Sequence, residues 1–159
     1  MARIESADAN PNSWGKVGIS AAYGTSVISQ SGNYDNTAGV TLDGDLSTSW
    51  QEGVTGSGVG EGIVYNLDDE YAVQYISFNL GNWRSTTWYA ENNVPQALDI
   101  VINEEIYRVS FPYGQSKYWV ALSEPVVTDC VEIYIAAAYP GSVYNDTCIA
   151  EVGIYGEPA

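Results

Sequence analysis

The chain has no histidine and only two cysteines, Cys130 and Cys148, among its 159 residues. Without histidine, the Ser-His and Cys-His nucleophilic pairs and the commonest zinc ligand are excluded together. Basic residues are almost as scarce, five against 20 acidic ones, which leaves a formal net charge of −15. A surface so negative repels phosphate backbones and anionic lipid, so the expected partners include neither nucleic acid nor membrane. Long hydrophobic runs are also missing, and nothing approaches the roughly 18 apolar residues of a membrane helix. Met1 to Asn10 lacks the basic start and apolar middle of a signal peptide, and Gly156-Glu157-Pro158-Ala159 has linker composition. The expectation is one monomeric domain over 1–156, with a linker starting at 157–159, excised from a larger secreted bacterial protein.

The residues that are abundant point to β structure. Apolar residues make up 45% and charged residues 16%, with 16 Gly and 13 Tyr, a balance unlike that of a helical bundle or a disordered chain. Apolar residues alternate with period two over Val17–Tyr23, Gly62–Leu67, Ala72–Leu80, Gln96–Ile102, Ile106–Phe111, Tyr118–Leu122, Val131–Ala137 and Ile149–Tyr155. Turn chemistry separates them at Asn33-Tyr34-Asp35-Asn36, Gly56-Ser57-Gly58, Asn92-Asn93-Val94-Pro95, Asn103-Glu104-Glu105 and Tyr139-Pro140-Gly141-Ser142. No window predicts a helix. The pattern predicts an all-β fold of two packed antiparallel sheets.

Alternation also assigns faces. Ile76, Phe78 and Leu80 share one side of their strand, as do Leu98, Ile100 and Ile102, then Tyr118, Val120 and Leu122, then Val131, Ile133 and Ile135; these sets are the expected core. Trp119 and Tyr134 then fall on outer faces, where Trp119 serves either as loop cover or as a second ligand platform. Cys130 and Cys148 each open a predicted strand, which leaves two readings open, buried free thiols or a disulfide.

The segment Gly81 to Asn93 concentrates Trp83, Trp88 and Tyr89 among Asn, Arg, Ser and Thr. Large rings set among polar residues lose core stabilisation unless a ligand or a fold-back covers them. A sugar offers C–H faces to stack on an aromatic ring and hydroxyls for Asn82, Arg84 and Asn92 to meet. Trp88 and Tyr89 are adjacent, so in an extended segment only one faces a ligand, and Trp88 is the expected one. Tyr139 and Tyr144 flank the Pro140-Gly141 turn and complete the candidate set. At about 1 kcal/mol per aromatic contact, two or three contacts give roughly millimolar binding. The negative charge favours a neutral polysaccharide, and several Trp favour a long flat β-glucan over a single galactose. The competing reading folds Trp83 or Trp88 back as a lid on the sandwich edge.

Thr41 to Trp50 packs Asp43 and Asp45 with Ser47, Thr48 and Ser49 around Gly44, a hard-oxygen setting that suits calcium. An EF-hand does not fit, because the sixth position from Asp43 is Thr48 and the twelfth is Val54. On spacing alone the segment is either an Asx turn or a metal site of another geometry.

The order of Asp43-Gly44-Asp45-Leu46-Ser47-Thr48-Ser49-Trp50, Gly58 to Ile63, Asn79-Leu80-Gly81, Asn92 to Pro95, Tyr139 to Thr147 and Ile149-Ala150-Glu151-Val152 resembles the discoidin-like superfamily. Within it the wording is similar to the NADase-type glycan-binding branch, a relative of coagulation factor type C and galactose-binding-like carbohydrate-binding modules. The resemblance covers roughly residues 38 to 156. It implies a jelly-roll sandwich, no catalysis, and a structural calcium held by Asp43, Thr48, the Asp45 carbonyl and Glu151, with Trp50 buried beside it. Ala150 departs from the family's Ser before the final Glu. A protein-interaction or adhesion module is the alternative within the same superfamily. A small glycoside hydrolase would need paired carboxylates such as Glu61 with Glu91 or Glu151.

Overall fold

The computed structural model describes residues 15–28 and 36–159, together with the backbone of 2–5. The expected turn at 33–35 and most of Met1 to Asn10 lie outside the described residues. Among the described residues the strands are β1 (Ala2–Glu5), β2 (Gly15–Lys16), β3 (Ile19–Gly24), β4 (Trp50–Gln51), β5 (Gly62–Leu80), β6 (Val94–Ile102), β7 (Glu105–Ser110), β8 (Lys117–Tyr139) and β9 (Cys148–Pro158). A 3-10 turn covers Ala38–Leu42 and one short helix, α1, covers Thr86–Glu91.

All strand pairs are antiparallel, and two long strands each serve two layers. The first part of β5 pairs with β3 and with the second part of β8, which continues to β6 and β7. The second part of β5 pairs with β9 and with the first part of β8, which carries β1 on its other side. The register of β5 breaks between Asn66 and Tyr71, where Asp68, Asp69 and Glu70 stand in solvent. Four residues of β8, Leu122 to Pro125, fall opposite the single Gln74 between the Tyr75–Ala121 and Val73–Val126 pairs. Pro125 has no N–H to give to the ladder, so the strand bulges there and turns from one sheet into the other. The Gln74 amide fills the gap by donating to the Leu122 carbonyl. What alternation predicts as pairs of separate strands is thus β5 and β8, each unbroken.

The result is a two-layer antiparallel β-sandwich. Ile76, Phe78, Leu80, Leu98, Ile100, Ile102, Val120, Leu122, Val131, Ile133 and Ile135 are buried in one hydrophobic cluster, as the alternation predicts, joined by Ile63, Tyr65 and Trp50. Tyr118 is only partly buried against it, because its hydroxyl reaches out to the Gly114 carbonyl. Trp50 also donates its indole N–H to the Ser26 carbonyl at 3.0 Å.

One expectation changes and two open readings are narrowed. Trp119 lies on the outer face, opposite to Val120 and outside the hydrophobic cluster, but is buried there rather than open to a ligand; Tyr155 packs on it at 4.9 Å and the Lys117 ammonium lies 4.8 Å from its ring. Glu157 and Pro158 belong to β9, pairing with Ala72 and Tyr71, where composition predicts the start of a linker. Both cysteines are free, Cys148 fully buried and Cys130 half-buried.

The pairings bring the connections at 52–61, 81–93, 111–116 and 140–147 to one end of the sandwich. The opposite end holds the bends of β5 and β8 and the tight β6–β7 hairpin.

Candidate functional site

The helix α1 starts because Ser85 sits in extended backbone and its hydroxyl accepts the Trp88 N–H at 3.0 Å, an N-cap of ordinary kind. Six residues leave the helix with unpaired carbonyls at its end, and neighbouring segments supply the donors. The Asn92 side chain donates to the Trp88 carbonyl at 2.9 Å. The backbone N–H of Ser142 reaches the Ala90 carbonyl at 3.0 Å, and those of Val143 and Tyr144 reach the Glu91 carbonyl at 3.2 and 2.8 Å. Segment 140–147 is therefore laid across the C-terminus of α1. The fit is close, since a Cβ at Gly141 would stand 2.3 Å from the Glu91 carbonyl oxygen.

Asn93 locks this arrangement from below. Buried, it accepts the Gly141 N–H at 2.7 Å and donates to the side chain of Asn145 at 2.9 Å. Glu52 anchors the other end of the segment. Its carboxylate is buried and accepts the Thr147 N–H at 3.3 Å and the Val54 N–H at 3.1 Å. Burial pushes its pKa up, opposed by those two N–H groups and aided by Asp146 and Glu61.

These contacts place the Trp88 indole beside the Tyr144 ring, with centroids 6.1 Å apart and planes within 10° of parallel. The Arg84 guanidinium carbon lies 5.7 Å from the Trp88 centroid. Tyr144 is 43% exposed, while Trp88 and Arg84 are half-buried. The exposed parts of this stack combine aromatic faces and edges with a guanidinium, groups of the kind that meet the C–H face and hydroxyl rim of a sugar.

The other expected ligand residues lie elsewhere. Trp83 packs on the hydrophobic core, and its indole N–H is tied to the Leu80 carbonyl at 2.7 Å; it is a lid rather than a platform. Tyr89 is buried because it occupies the core side of α1, about 100° around the helix from Trp88. Asn82 and Asn92 are also buried, where they shape the loop: Asn82 accepts the Arg84 N–H at 3.0 Å, and Asn92 caps α1. Tyr139 is half-buried against the core, its hydroxyl donating to the Phe111 carbonyl at 2.8 Å. Alternation predicts no helix at Thr86–Glu91, and α1 is what separates Trp88 from Tyr89. Sequence reading passed over Asn93, Glu52 and Tyr113; the N-cap at Ser85, three residues before Trp88, is the signal that could have revealed α1.

The acidic turn after the 3-10 segment is well ordered by its own hydrogen bonds. Asp43 accepts the Asp45 N–H at 2.8 Å and the Thr48 hydroxyl at 2.7 Å. The Asp45 carboxylate accepts the Ser47 hydroxyl and N–H at 2.6 and 2.9 Å, which together with the charge of Arg84 hold it below the usual carboxylate range. Glu151 comes from β9 and accepts the Gly44 N–H at 3.2 Å through one oxygen, while its other oxygen is buried with no hydrogen-bond partner. Burial foremost, and then the charge of Asp43, push the Glu151 carboxyl up to about 7. Among the described residues no three acidic, His or Cys side chains gather into a metal-binding group. A hard cation would instead need the mixed set of the Asp43 and Glu151 carboxylates, the Thr48 hydroxyl and the Asp45 carbonyl. The orphaned oxygen of Glu151 fits such an ion. Of the acidic residues considered for hydrolysis, Glu61 accepts the Thr25 hydroxyl at 2.8 Å and Glu151 is committed to Gly44.

Solved family 32 carbohydrate-binding modules share this fold. The CBM32-1 and CBM32-2 domains of Clostridium perfringens ZmpB, solved with GalNAc, match at a TM-score of 0.72 and 12% identity over 98% of this chain and 39% of that one. The family 32 module of C. perfringens NanJ, solved with galactose, matches at 0.62 and 20% identity over 85% of this chain and 92% of that one. The family 32 module of AlyQ, solved with 4,5-unsaturated mannuronic acid, matches at 0.61 and 17% identity over 87% and 96%. The chain thus spans about two fifths of the two-domain ZmpB structure. No curated protein matches it significantly in sequence. The family model for the NAD glycohydrolase translocation F5/8 type C domain covers residues 14–155, and the chain belongs to that family.

Proposed function

We propose that this domain is a non-catalytic carbohydrate-binding module whose Trp88–Tyr144–Arg84 surface takes a neutral, galactose-like sugar. The observation that carries the reading is the partly exposed stack of Trp88 and Tyr144 with the Arg84 guanidinium over the indole, held in place by the hydrogen bonds that lay segment 140–147 across the end of α1. Galactose and GalNAc occupy the related modules of NanJ and ZmpB. A uronic acid occupies that of AlyQ, but a net charge of −15 weighs against an anionic ligand here. The case for a long β-glucan rested on several exposed indoles. With Trp83 on the core and Trp119 buried, it is set aside in favour of a short galactosyl ligand.

Weak binding of this kind suits a secreted module attached to a glycan-processing enzyme, since linkage raises the effective concentration of enzyme at its substrate without trapping it. Among the described residues no helix is long and apolar enough to cross a membrane. Calcium, held by Asp43, Thr48, the Asp45 carbonyl and Glu151, would brace the acidic turn against β9 and neutralise the buried Glu151 carboxylate. Exposed Val59 and Val143 on the loops of the same end favour a second reading, attachment to a protein surface.

A neutral-glycan array probed with and without chelator tests both parts. Galactosyl signals lost in Trp88→Ala support the reading, and a chelator-dependent fall in melting temperature supports the cation. An array without glycan signal, with a protein partner retained, would favour the second reading.

A further inference from the structure

The strongest feature left unused by this reading is Tyr113, on the β7–β8 connection. Its ring is 51% exposed, yet it is pinned between two others. Tyr139 meets it edge-on at 5.3 Å and 83°, and Tyr89 at 5.4 Å and 56°. The connection itself is braced, with the Tyr118 hydroxyl donating to the Gly114 carbonyl at 3.3 Å and the Ser116 N–H to the same oxygen at 2.9 Å. An exposed ring is usually free to rotate, and holding it costs entropy when a ligand binds. Here that ordering is complete beforehand.

Its position matters more than its exposure. Trp88 and Tyr89 are consecutive on α1, so they project about 100° apart. Trp88 meets Tyr144, and Tyr89, on the core side of the helix, meets Tyr113. The two aromatic pairs are thus set somewhat more than a quarter-turn apart around a cylinder about 10 Å in diameter. That is a span a sugar chain longer than one residue can cover. Gln115 and Ser116, both exposed beside Tyr113, offer neutral polar groups for its hydroxyls.

We propose that Tyr113 forms a second saccharide subsite around α1 from the Trp88–Tyr144 surface, so that the preferred ligand is a neutral disaccharide rather than a single terminal sugar. The proposal rests on the saccharide reading of the first surface. The site would read the second residue through the Tyr113 face, with the helix as a spacer between the two contacts.

Calorimetric titration of galactose and of GalNAc-β-1,3-galactose into the wild type, Tyr113→Ala, Tyr113→Phe and Trp88→Ala tests it. One added aromatic contact should make the wild type bind the disaccharide about fivefold more tightly than galactose. Tyr113→Ala should erase that ratio while leaving galactose affinity unchanged, Tyr113→Phe should keep it, and Trp88→Ala should lose both sugars. Equal wild-type affinity for the two sugars overturns the second subsite, and so does a ratio that survives Tyr113→Ala in a variant with native melting temperature. If Tyr113→Ala fails to fold, loss of the ratio in Tyr113→Phe overturns the stacking contact and its retention supports it. In each of these cases galactose binding abolished by Trp88→Ala leaves the first surface standing. A wild type that binds neither sugar overturns both.

Discussion

The side-chain oxygen of Asn93 accepts the Gly141 N–H at 2.7 Å, joining the end of the α1 segment to a turn 48 residues away. Because Gly141 leads directly into the stretch that carries Tyr144, this buried amide sets where that ring stands. Asn93→Ala removes the acceptor for Gly141 and the donor to Asn145, and should cost about 1–3 kcal/mol in urea unfolding. Galactose affinity should fall as well, although Asn93 is buried away from any ligand. Unchanged affinity in a folded Asn93→Ala would show that the ring pair does not depend on this clamp.

Glu151 makes stability depend on pH in a definite direction. Its carboxyl is raised from 4.5 to about 7, so the folded state holds the proton more tightly than the unfolded chain does. In chelator, its contribution is complete below about pH 4.5 and is lost as pH rises through about 7. Unfolding curves of the wild type across that window should decline more steeply than those of Glu151→Gln. Equal slopes would contradict the assignment.

Asn103 and Glu104 make the β6–β7 hairpin with φ of 51° and 70°. Both lie in the left-handed region, which Asn tolerates and Glu does not. Glu104→Gly should stabilise the domain by roughly 1 kcal/mol, read as a higher urea midpoint at unchanged slope. A lower midpoint would mean that the Glu104 side chain makes a contact that outweighs the backbone strain.

The thiols should differ in access and share low reactivity. Cys148 is fully buried and its thiol is pushed up by burial, then by Asp146 and Glu52; Cys130 is half-buried and also raised, by burial and by Glu132 and Asp129. Under native conditions an aromatic disulfide reagent should label Cys130 slowly and leave Cys148 untouched until the protein unfolds. Two equivalents of rapid labelling in the native state would contradict this burial.

Most of the sandwich was legible because a half-buried strand writes its faces into alternation, as in Leu98, Ile100 and Ile102. The unbroken courses of β5 and β8 were not, since the charged Asp68-Asp69-Glu70 and the Pro125 bulge look like strand ends in sequence. At the site, polar neighbours made Trp83 look exposed, whereas its burial comes from a fold-back that ends on the Leu80 carbonyl. The separation of Trp88 from Tyr89 depends on α1, and six residues are too few for helical period to show. Tyr113 stands in a Pro-Tyr-Gly turn that nothing local distinguishes from any other. Its pinning by Tyr89 and Tyr139 arises only once strands distant in sequence are paired.

The saccharide reading is tested most directly by the indole N–H resonances of the protein during a GalNAc titration. Trp50 and Trp83 have their indole N–H groups committed to the Ser26 and Leu80 carbonyls and should stay in place. The Trp88 signal, assigned by its loss in Trp88→Phe, should move progressively and saturate at millimolar sugar. A Trp88 resonance that does not move while the sugar binds, or that never moves at any sugar concentration, would contradict the account.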